Sequence, residues 1–276
     1  MDPFSIDAYS PKEIAGRIQQ LGVVKSKGDP LRVVALSLLA GAFIAFGAAL
    51  FTVVTFDAGG LAAGVLRLLG GLAFCLGLIL VVVAGAELFT GNNLIVMAYV
   101  DGQVTLRQLL NNWGLVYLGN FVGAIGIALL IYFSGHWQGA QGAVGAHAVM
   151  IADAKVNLTW MEAFTRGVLC NILVCLAVWL CYAGRSVTDK ILAVLFPITA
   201  FVALGFEHSV ANMFFIPAGL LAQTDPLVSS ALVNQVSSQL SVSGFLWHNL
   251  IPVTLGNIVG GSVFVGLFYW FIYLRK

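Results

Sequence analysis

The chain reads Gly205-Phe206-Glu207-His208-Ser209-Val210-Ala211-Asn212 in the middle of a long apolar tract. Glu207 and His208 are therefore adjacent ionisable residues in a segment of membrane-like composition. A charged side chain at the centre of a bilayer costs about 2.5 to 3.5 kcal/mol on insertion scales, so an ionisable residue at that depth is expected to have a function. A transport pathway is the first hypothesis.

The composition of the whole chain indicates an integral membrane protein. Of the 276 residues, 60% are hydrophobic and 9% are charged, and the mean hydropathy is +0.97. These values are too apolar for a soluble domain of this length. The formal net charge of +1 provides no basic surface for a nucleic-acid partner. The four cysteines lack metal-ligand spacing, so no metal or other cofactor is expected.

Apolar tracts predict six membrane spans, each of which needs about 20 residues. Two tracts, 68–100 and 191–224, are too long for one span and contain ionisable residues. Both are therefore predicted to be helices that break and restart, the first near 85–91, with Thr90 or Asn92 capping the helix that follows. The other spans are predicted at 31–54, 113–133, 167–184 and 249–274, with a polar connection at 134–162 and a Ser-rich one at 225–247.

The two halves of the chain repeat each other. The matched pairs are Glu87 with Glu207, Asn92 with Asn212, Asn112 with Asn249 and Asn120 with Asn257. Because each half contains three spans, an odd number, the halves must lie in opposite orientations. The predicted fold class is an all-α integral membrane protein, with six transmembrane helices in an inverted 3+3 repeat and with the second and fifth helices broken.

The N-terminal segment is predicted to contain a helix of its own. Ser10-Pro11-Lys12-Glu13 is a capping-box sequence with proline at the first helical position. It predicts a short amphipathic helix that either lies along the membrane or covers a cytoplasmic opening. Residues 1–30 are thus assigned to a cytoplasmic segment, and 31–276 to a single six-helix channel domain with repeat halves 31–134 and 163–276.

The positive charges predict the orientation. Placing both termini in the cytoplasm leaves only Arg67, Lys155 and Arg166 on the outer side, out of 13 lysine and arginine residues. The positive-inside rule favours this arrangement.

The breaks favour an anion as cargo, because a helix that restarts presents free N–H groups and a partial positive charge. Glu87 and Glu207 have the wrong sign for this role and are interpreted as structural acceptors. A neutral His208 can donate a hydrogen bond to an anion, and its charge can change near neutral pH, so proton transfer to a weak-acid substrate is a further hypothesis. His208 aligns with Leu88, which is therefore interpreted as a hydrophobic gate.

Four motifs together resemble the formate/nitrite transporter family, and most closely its formate channels. They are Ala86-Glu87-Leu88-Phe89-Thr90-Gly91, Cys170-Asn171-Ile172-Leu173-Val174-Cys175-Leu176-Ala177-Val178-Trp179, Gly205-Phe206-Glu207-His208-Ser209-Val210-Ala211-Asn212-Met213 and Asn249-Leu250-Ile251-Pro252-Val253-Thr254-Leu255-Gly256-Asn257. The resemblance implies an aquaporin-like fold in a homopentamer in the bacterial inner membrane, with one pore in each protomer. It further implies that the chain is not an enzyme and that its partners are the lipid bilayer and formate or a related small anion.

The resemblance also implies roles for individual residues. His208 would be the central pore histidine, beside Thr90 and Asn171 and oriented by Glu207. Phe74 and Phe201 would form the periplasmic constriction and Leu78 and Leu88 the cytoplasmic one. The loop 88–91 would be a gate that answers to pH through the N-terminal helix, and Lys155 would draw anions to the outer mouth. The implied pathway residues are His208, Thr90, Asn171, Glu207, Phe74, Phe201, Leu78, Leu88, Phe89, Lys155 and Asn212.

The sequence leaves alternatives open. Gly91-Asn92-Asn93 departs from the small hydroxyl residues common in formate channels, so a nitrite or hydrosulfide channel of the same family is the alternative prediction. An aquaporin-type channel for neutral solutes is more remote, since the chain lacks an Asn-Pro-Ala pair. An intramembrane enzyme using Ser209 and His208 is disfavoured, because adjacent residues do not face each other on a helix.

Overall fold

The computed structural model describes residues 8–232 and 236–275, and the regular elements in that part of the chain are all helical. Residues 1–7 of the predicted N-terminal segment and Lys276, counted among the cytoplasmic cations, lie outside these ranges. The helices are α1 Pro11–Ser26, α2 Pro30–Thr55, α3 Ala63–Gly85, α4 at 89–100, α5 Leu106–Phe133, α6 Ala143–Val156, α7 Trp160–Ala183, α8 Val187–Ala203, α9 Ser209–Ala222, α10 Pro226–Ala231 and α11 Gly244–Tyr273.

Within the described ranges, five helices are long and apolar enough to cross a membrane. They are α2, α3, α5, α7 and α11, while the predicted span at 191–224 is divided between α8 and α9. Large apolar side chains cover the outside of the bundle, and Phe133 and Phe196 are 78% and 79% exposed. Such a surface fits contact with lipid or with another apolar surface, and not with water.

Both predicted helix breaks are present. α3 ends at Gly85 and α4 restarts at Phe89, while α8 ends at Ala203 and α9 restarts at Ser209. Gly85 has φ +83° and Gly205 has φ +72°, a left-handed conformation that glycine adopts without the penalty a Cβ atom incurs. These two glycines therefore fix where each helix stops.

The predicted polar connection at 134–162 is wrong, because this segment contains α6. Its face of Ala148, Val149 and Ala152 is buried and packs against α9, where a side chain at Gly219 would collide with Ala152. The three ionisable residues His147, Asp153 and Lys155 on the same helix concealed this apolar face in the sequence.

Most spans begin a few residues earlier than predicted, and α5 and α7 begin seven residues earlier. α5 starts at Leu106 instead of 113, and α7 starts at Trp160 instead of 167. In each case a capping box satisfies the first free N–H groups of the helix. The boxes pair Thr105 with Gln108 and Thr159 with Glu162.

The N-terminal helix α1 is confirmed, together with the capping box of Ser10 and Glu13. Its buried residues Ile14 and Ile18 pack in one apolar cluster with Trp179 of α7 and Met97 of α4. α1 is therefore docked onto the helical bundle.

Candidate functional site

Asn120 of α5 holds the first break. Its Oδ1 accepts a hydrogen bond from the Phe89 N–H at 2.9 Å, and its Nδ2 donates to the Glu87 carbonyl at 2.9 Å and to the Ser37 carbonyl at 2.8 Å. The prediction that Thr90 or Asn92 caps α4 is therefore wrong. A side chain from another helix satisfies the start of α4, which leaves the Thr90 hydroxyl free for another partner.

Asn257 of α11 holds the second break with the same three bonds. Its Oδ1 accepts from the Ser209 N–H at 2.9 Å, and its Nδ2 donates to the carbonyls of Glu207 at 3.0 Å and Gly167 at 2.8 Å. Buried backbone groups left without partners would each cost about 1–3 kcal/mol, so these asparagines make the irregular backbone tolerable inside the bundle.

The Glu87 side chain lies in a polar cage beside the first break. Its carboxylate accepts from Lys25 Nζ at 2.9 Å and from Asn92 Nδ2 at 2.7 Å. Asn112 Oδ1 also accepts from Asn92 Nδ2, and Asn112 Nδ2 donates to the Lys25 carbonyl, both at 3.0 Å. The cage thereby ties α1 to the loop that interrupts the membrane helix.

The Glu207 side chain lies in an equivalent cage. Its carboxylate accepts from Lys155 Nζ at 2.8 Å, Asn212 Nδ2 at 2.7 Å and Asn249 Nδ2 at 3.1 Å. Asn249 Oδ1 also accepts from Asn212 Nδ2 at 2.7 Å, and Asn249 Nδ2 donates to the Lys155 carbonyl at 3.0 Å. Both glutamates are thus acceptors for neighbouring side chains, as the sequence indicated, and each also forms an ion pair with a lysine.

His208 is buried, with 3% of its surface exposed, and both ring nitrogens are engaged. Nδ1 caps α9 by accepting from the Ala211 N–H at 3.1 Å, and Nε2 lies 2.9 Å from Thr90 Oγ1. Because Nδ1 is an acceptor, the proton of the neutral ring is assigned to Nε2, which then donates to Thr90. The ring also stacks on Phe201, with 6.0 Å between centroids.

The structure differs from the implied role of Glu207 as the residue that orients His208. The Glu207 carboxylate is directed to Lys155, Asn212 and Asn249, and the orientation of the imidazole is fixed by Thr90 and by the start of α9. The Ser209 hydroxyl has no partner among the described residues, so Ser209 and His208 do not form a nucleophile–base pair.

Two pairs of buried apolar side chains flank the histidine. Phe74 and Phe201 make an edge-to-face contact with ring centroids 5.6 Å apart, and Leu78 and Leu88 are buried at the other side. Phe74 and Leu78 lie four residues apart on α3, which places them on one face about 6 Å apart along the helix axis. The two apolar pairs are therefore about one helical turn apart along α3 and together form an apolar barrier.

A cavity reaches this barrier from each side. The inner cavity, so called because the predicted orientation turns it toward the cytoplasm, measures about 460 Å³ and is bordered by Leu78, Leu88 and Glu87, with Ile18, Leu21 and Lys25 of α1. The outer cavity measures about 240 Å³ and is bordered by Phe74, Phe201, His208, Lys155, Glu207 and Asn212. α1 thus forms part of the wall of the inner cavity, and its role as a cover of a cytoplasmic opening stays a prediction.

Three of the expected pathway residues line neither the inner nor the outer cavity: Thr90, Phe89 and Asn171. The Phe89 ring packs against Tyr117 at 4.9 Å and Trp113 at 6.2 Å between centroids. Asn171 Nδ2 lies within bonding distance of the Thr90 carbonyl at 3.2 Å and the Asn257 carbonyl at 2.7 Å. Asn171 therefore supports the backbone at Thr90, beside the histidine.

The part of Lys25 was missed in the sequence. Lys25 and Lys155 make equivalent contacts, but the predicted repeat halves leave out the segment that precedes each of the first and fourth spans. A lysine in each of those two segments is the sequence signal for this pair.

The fold and the site together define a membrane helical bundle in which one cavity is lined by a buried histidine and a second cavity ends at the leucine pair on the other side of it, which is the geometry of a transport protein. The sequence matches the family model described as "Formate/nitrite transporter" over residues 12–271. The chain belongs to the formate/nitrite transporter family.

Individual relatives agree with this assignment. The chain is 44% identical to "Formate channel FocA" of Escherichia coli (strain K12), over 100% of this chain and 97% of that protein. It is 42% identical to "Formate channel FocA" of Haemophilus influenzae, over 95% of this chain and 93% of that protein. A solved structure described as "Pentameric formate channel with formate bound" superposes with a TM-score of 0.81 at 41% identity, covering 89% of this chain and 98% of that one.

Proposed function

We propose that this protein is a membrane channel for formate and similar small monovalent anions of weak acids. The single observation that carries the proposal is the buried His208–Thr90 pair, 2.9 Å apart, which lies beside the phenylalanine pair that borders the outer cavity and the leucine pair that borders the inner cavity. The names of the relatives, formate channels at 44% and 42% identity, support formate over nitrite or hydrosulfide.

His208 acts first as a hydrogen-bond donor. An anion that enters from the outer cavity loses water at Phe74 and Phe201, and the Nε2–H of His208 and the hydroxyl of Thr90 replace part of that hydration. A charge-assisted hydrogen bond of this kind contributes about 1.5–3 kcal/mol. Asn171 keeps Thr90 in place for this contact.

Transfer of a proton from His208 to the anion would break the hydrogen bond by which His208 caps α9. The neutral ring cannot give up its Nε2 proton unless Nδ1 gains one, and Nδ1 is engaged by the Ala211 N–H. Proton transfer to formate therefore requires that this bond opens. Once protonated, the substrate is neutral and crosses the apolar barrier without the cost of burying a charge.

We also propose that the fold is an inverted 3+3 repeat in which the second and fifth membrane helices are broken. The matching bonds of Asn120 and Asn257 support this arrangement. The equivalent contacts of Lys25 and Lys155 support extending the predicted halves, 31–134 and 163–276, to include α1 in the first and α6 in the second. The predicted division at residue 30 stays a prediction.

The protein is proposed to act as a homopentamer in the inner membrane of a bacterium, with both termini in the cytoplasm and one pore in each protomer. The pentameric relative supports the assembly, and the exposed apolar side chains of the membrane helices are available for contact with lipid and with neighbouring protomers. The segment at 88–91 is proposed as the cytoplasmic gate, because Lys25 of α1 binds Glu87 and Asn92 on either side of it.

The test is a comparison of substrates in proteoliposomes that contain the purified protein. Uptake of formate, nitrite, hydrosulfide and glycerol is measured against protein-free vesicles. The proposal predicts that formate uptake is fastest and that glycerol does not enter. Faster nitrite or hydrosulfide uptake would assign the chain to the alternative substrate, and glycerol flux without anion flux would support a channel for neutral solutes.

A further inference from the structure

A further cavity of about 540 Å³ lies beside the outer cavity. We call it the side cavity. Arg67 of α3, His147 of α6 and Arg166 of α7 line it. The side and outer cavities share part of their walls, formed by Phe51, Ile151, Arg166, Val202, Gly205 and Phe206. A molecule held in the side cavity therefore lies next to the proposed permeation route.

The positive charge of the side cavity is largely uncompensated. Lys155, the cation of the outer cavity, lies 2.8 Å from the Glu207 carboxylate, and that pair is mostly buried. Among the described residues, Arg166 forms an ion pair with Glu162 alone, at 3.8 Å, between side chains that are 40% and 50% exposed, and such pairs contribute little. Arg67 forms no ion pair within residues 8–232 and 236–275. Arg67 and Arg166 therefore supply the cationic charge that an incoming anion meets at this side.

The Arg166 side chain is not required by the helix break beside it. The Arg166 carbonyl accepts from the Glu207 N–H at 3.3 Å, and at the other break the Leu36 carbonyl accepts from the Glu87 N–H at 3.2 Å. The backbone carbonyls of Arg166 and Leu36 thus make the same hydrogen bond, although one residue has a guanidinium side chain and the other an apolar one. The guanidinium of Arg166 is available for another purpose.

His147 adds a group that responds to an anion. Its Nε2 lies 3.0 Å from Thr55 Oγ1, and the Thr55 hydroxyl donates to the Phe51 carbonyl at 2.8 Å. Nε2 therefore carries the proton in the neutral ring, and Nδ1 remains able to accept one. Burial lowers the pKa of His147, whereas an anion held nearby would raise this pKa by favouring the imidazolium.

We propose that the side cavity binds a small monovalent carboxylate between Arg67, Arg166 and His147 and supplies it to the outer cavity. Guanidinium groups match carboxylates in shape and can donate two parallel hydrogen bonds to one carboxylate. Formate as the occupant rests on the proposed function. The cationic groups facing the site are Arg67 and Arg166, with Glu162 beside Arg166 and the Lys155–Glu207 pair across the shared wall.

The first experiment measures formate flux into oriented proteoliposomes. Arg166→Leu, which introduces the residue of the equivalent position, is compared alone and combined with Arg67→Gln, and Arg107→Leu is the control at an exposed arginine outside all three cavities. The double variant is expected to lose about tenfold of the flux at low outer formate, since charged clefts raise local substrate concentration by at least that factor, while flux at saturating formate is retained. Unchanged flux at low formate, or an equal loss when formate is supplied only from the inner side, would overturn the proposal.

The second experiment detects binding without transport. Protein with ¹³C-labelled histidine is placed in nanodiscs of zwitterionic lipid, the His147 signal is assigned with His147→Asn, and the signal is titrated with pH in sodium formate or sodium chloride. Formate is expected to raise the pKa of His147 in the wild-type protein and not in the double arginine variant. The same shift in chloride, no shift in formate, or a shift only after anionic lipid is added would each contradict the proposal.

The two experiments separate this inference from the proposed function. A formate-dependent His147 signal in a protein that passes no formate would support the side cavity and contradict the channel. Formate flux without a formate-dependent His147 signal would support the channel and contradict the side cavity.

Discussion

Lys25 and Lys155 are equivalent residues at opposite ends of the proposed pathway. Each ammonium group pairs with the glutamate of one helix break, at 2.9 Å for Glu87 and 2.8 Å for Glu207. The backbone carbonyl of each lysine also accepts from an asparagine, at 3.0 Å in both cases. The fold thus uses the same ion pair twice, once to attach α1 and once to attach α6.

Removing Lys25 or Lys155 leaves a glutamate carboxylate without its cation. The resulting loss of folding stability should be greater for the more buried glutamate. The Glu207 side chain is 5% exposed and the Glu87 side chain 12%, so Lys155→Met is expected to destabilise the fold by about 3–5 kcal/mol and Lys25→Met by less. Thermal unfolding in detergent checks the order. Lys155→Met with Glu207→Gln should recover part of the loss, and failure to do so would show that the charge left behind is not the cause.

Asn120 and Asn257, which hold the two helix breaks, should each destabilise the protein to a similar extent when truncated to alanine. Asn120→Ala and Asn257→Ala each remove the partner of one buried N–H and of the glutamate carbonyl at the break, and each unsatisfied group costs about 1–3 kcal/mol. Large losses in thermal stability are expected for both. Asn111→Ala, at an exposed asparagine on the same helix as Asn120, is the control. If Asn120→Ala or Asn257→Ala were as stable as this control, that asparagine would not hold its helix break.

The Phe74–Phe201 pair should no longer exclude water and protons when one of its rings is removed. Phe201→Ala eliminates the edge-to-face contact with Phe74 and costs about 3–5 kcal/mol of stability as a buried truncation. The opening is expected to admit water and to raise proton leak in proteoliposomes loaded with a pH-sensitive dye. Phe196→Ala, at a 79% exposed position of the same helix, should leave the leak unchanged. Equal leaks in the two variants would show that Phe201 is not part of a barrier.

Because of His147, the free energy of unfolding should decrease in mild acid. Burial lowers its pKa below the ordinary value of 6.5, so between the lowered value and 6.5 the unfolded chain binds more protons than the folded one. The free energy of unfolding is therefore greatest above pH 6.5, falls as the pH drops through this window, and stops falling from this source once folded His147 is protonated. Unfolding midpoints of wild type and His147→Asn at pH 7.5 and 5 test this, and an equal pH dependence in both would rule out His147 as its source.

The broken helices could be predicted from the sequence because their signals are local. Two apolar tracts were too long for one span, and each contained a glutamate with an asparagine five positions later and a glycine that adopts positive φ at the break. α6 could not be recognised in the same way, because Lys155 and its ionisable neighbours hide a face whose burial depends on α9.

The finer geometry of the site depended on partners remote in sequence. Thr90 was predicted as a helix cap, but its hydroxyl meets His208 from the other half of the chain. Asn120 was recognised as one half of a repeated pair, yet its bonds to Phe89 and Glu87 require the packing of α5 against the break. Local propensity contains no information about either contact.

In the proposed function, the Nε2–H of His208 stabilises the anion at the apolar barrier by donating a hydrogen bond to it. Two substitutions separate this from the second role of the ring. His208→Gln places an amide donor near the position of Nε2 and gives up the acceptor for the Ala211 N–H, whereas His208→Asn keeps a helix-capping oxygen and loses the distant donor. Phe substitution would remove both functions at once and is less informative.

The deciding measurement is the initial rate of labelled formate uptake by proteoliposomes of the wild type, His208→Gln and His208→Asn at pH 7. Loss of one charge-assisted hydrogen bond, about 1.5–3 kcal/mol, predicts that His208→Asn loses at least about tenfold of the wild-type rate, while His208→Gln keeps a larger share of it. A His208→Asn rate equal to that of the wild type, or above that of His208→Gln, would contradict the account.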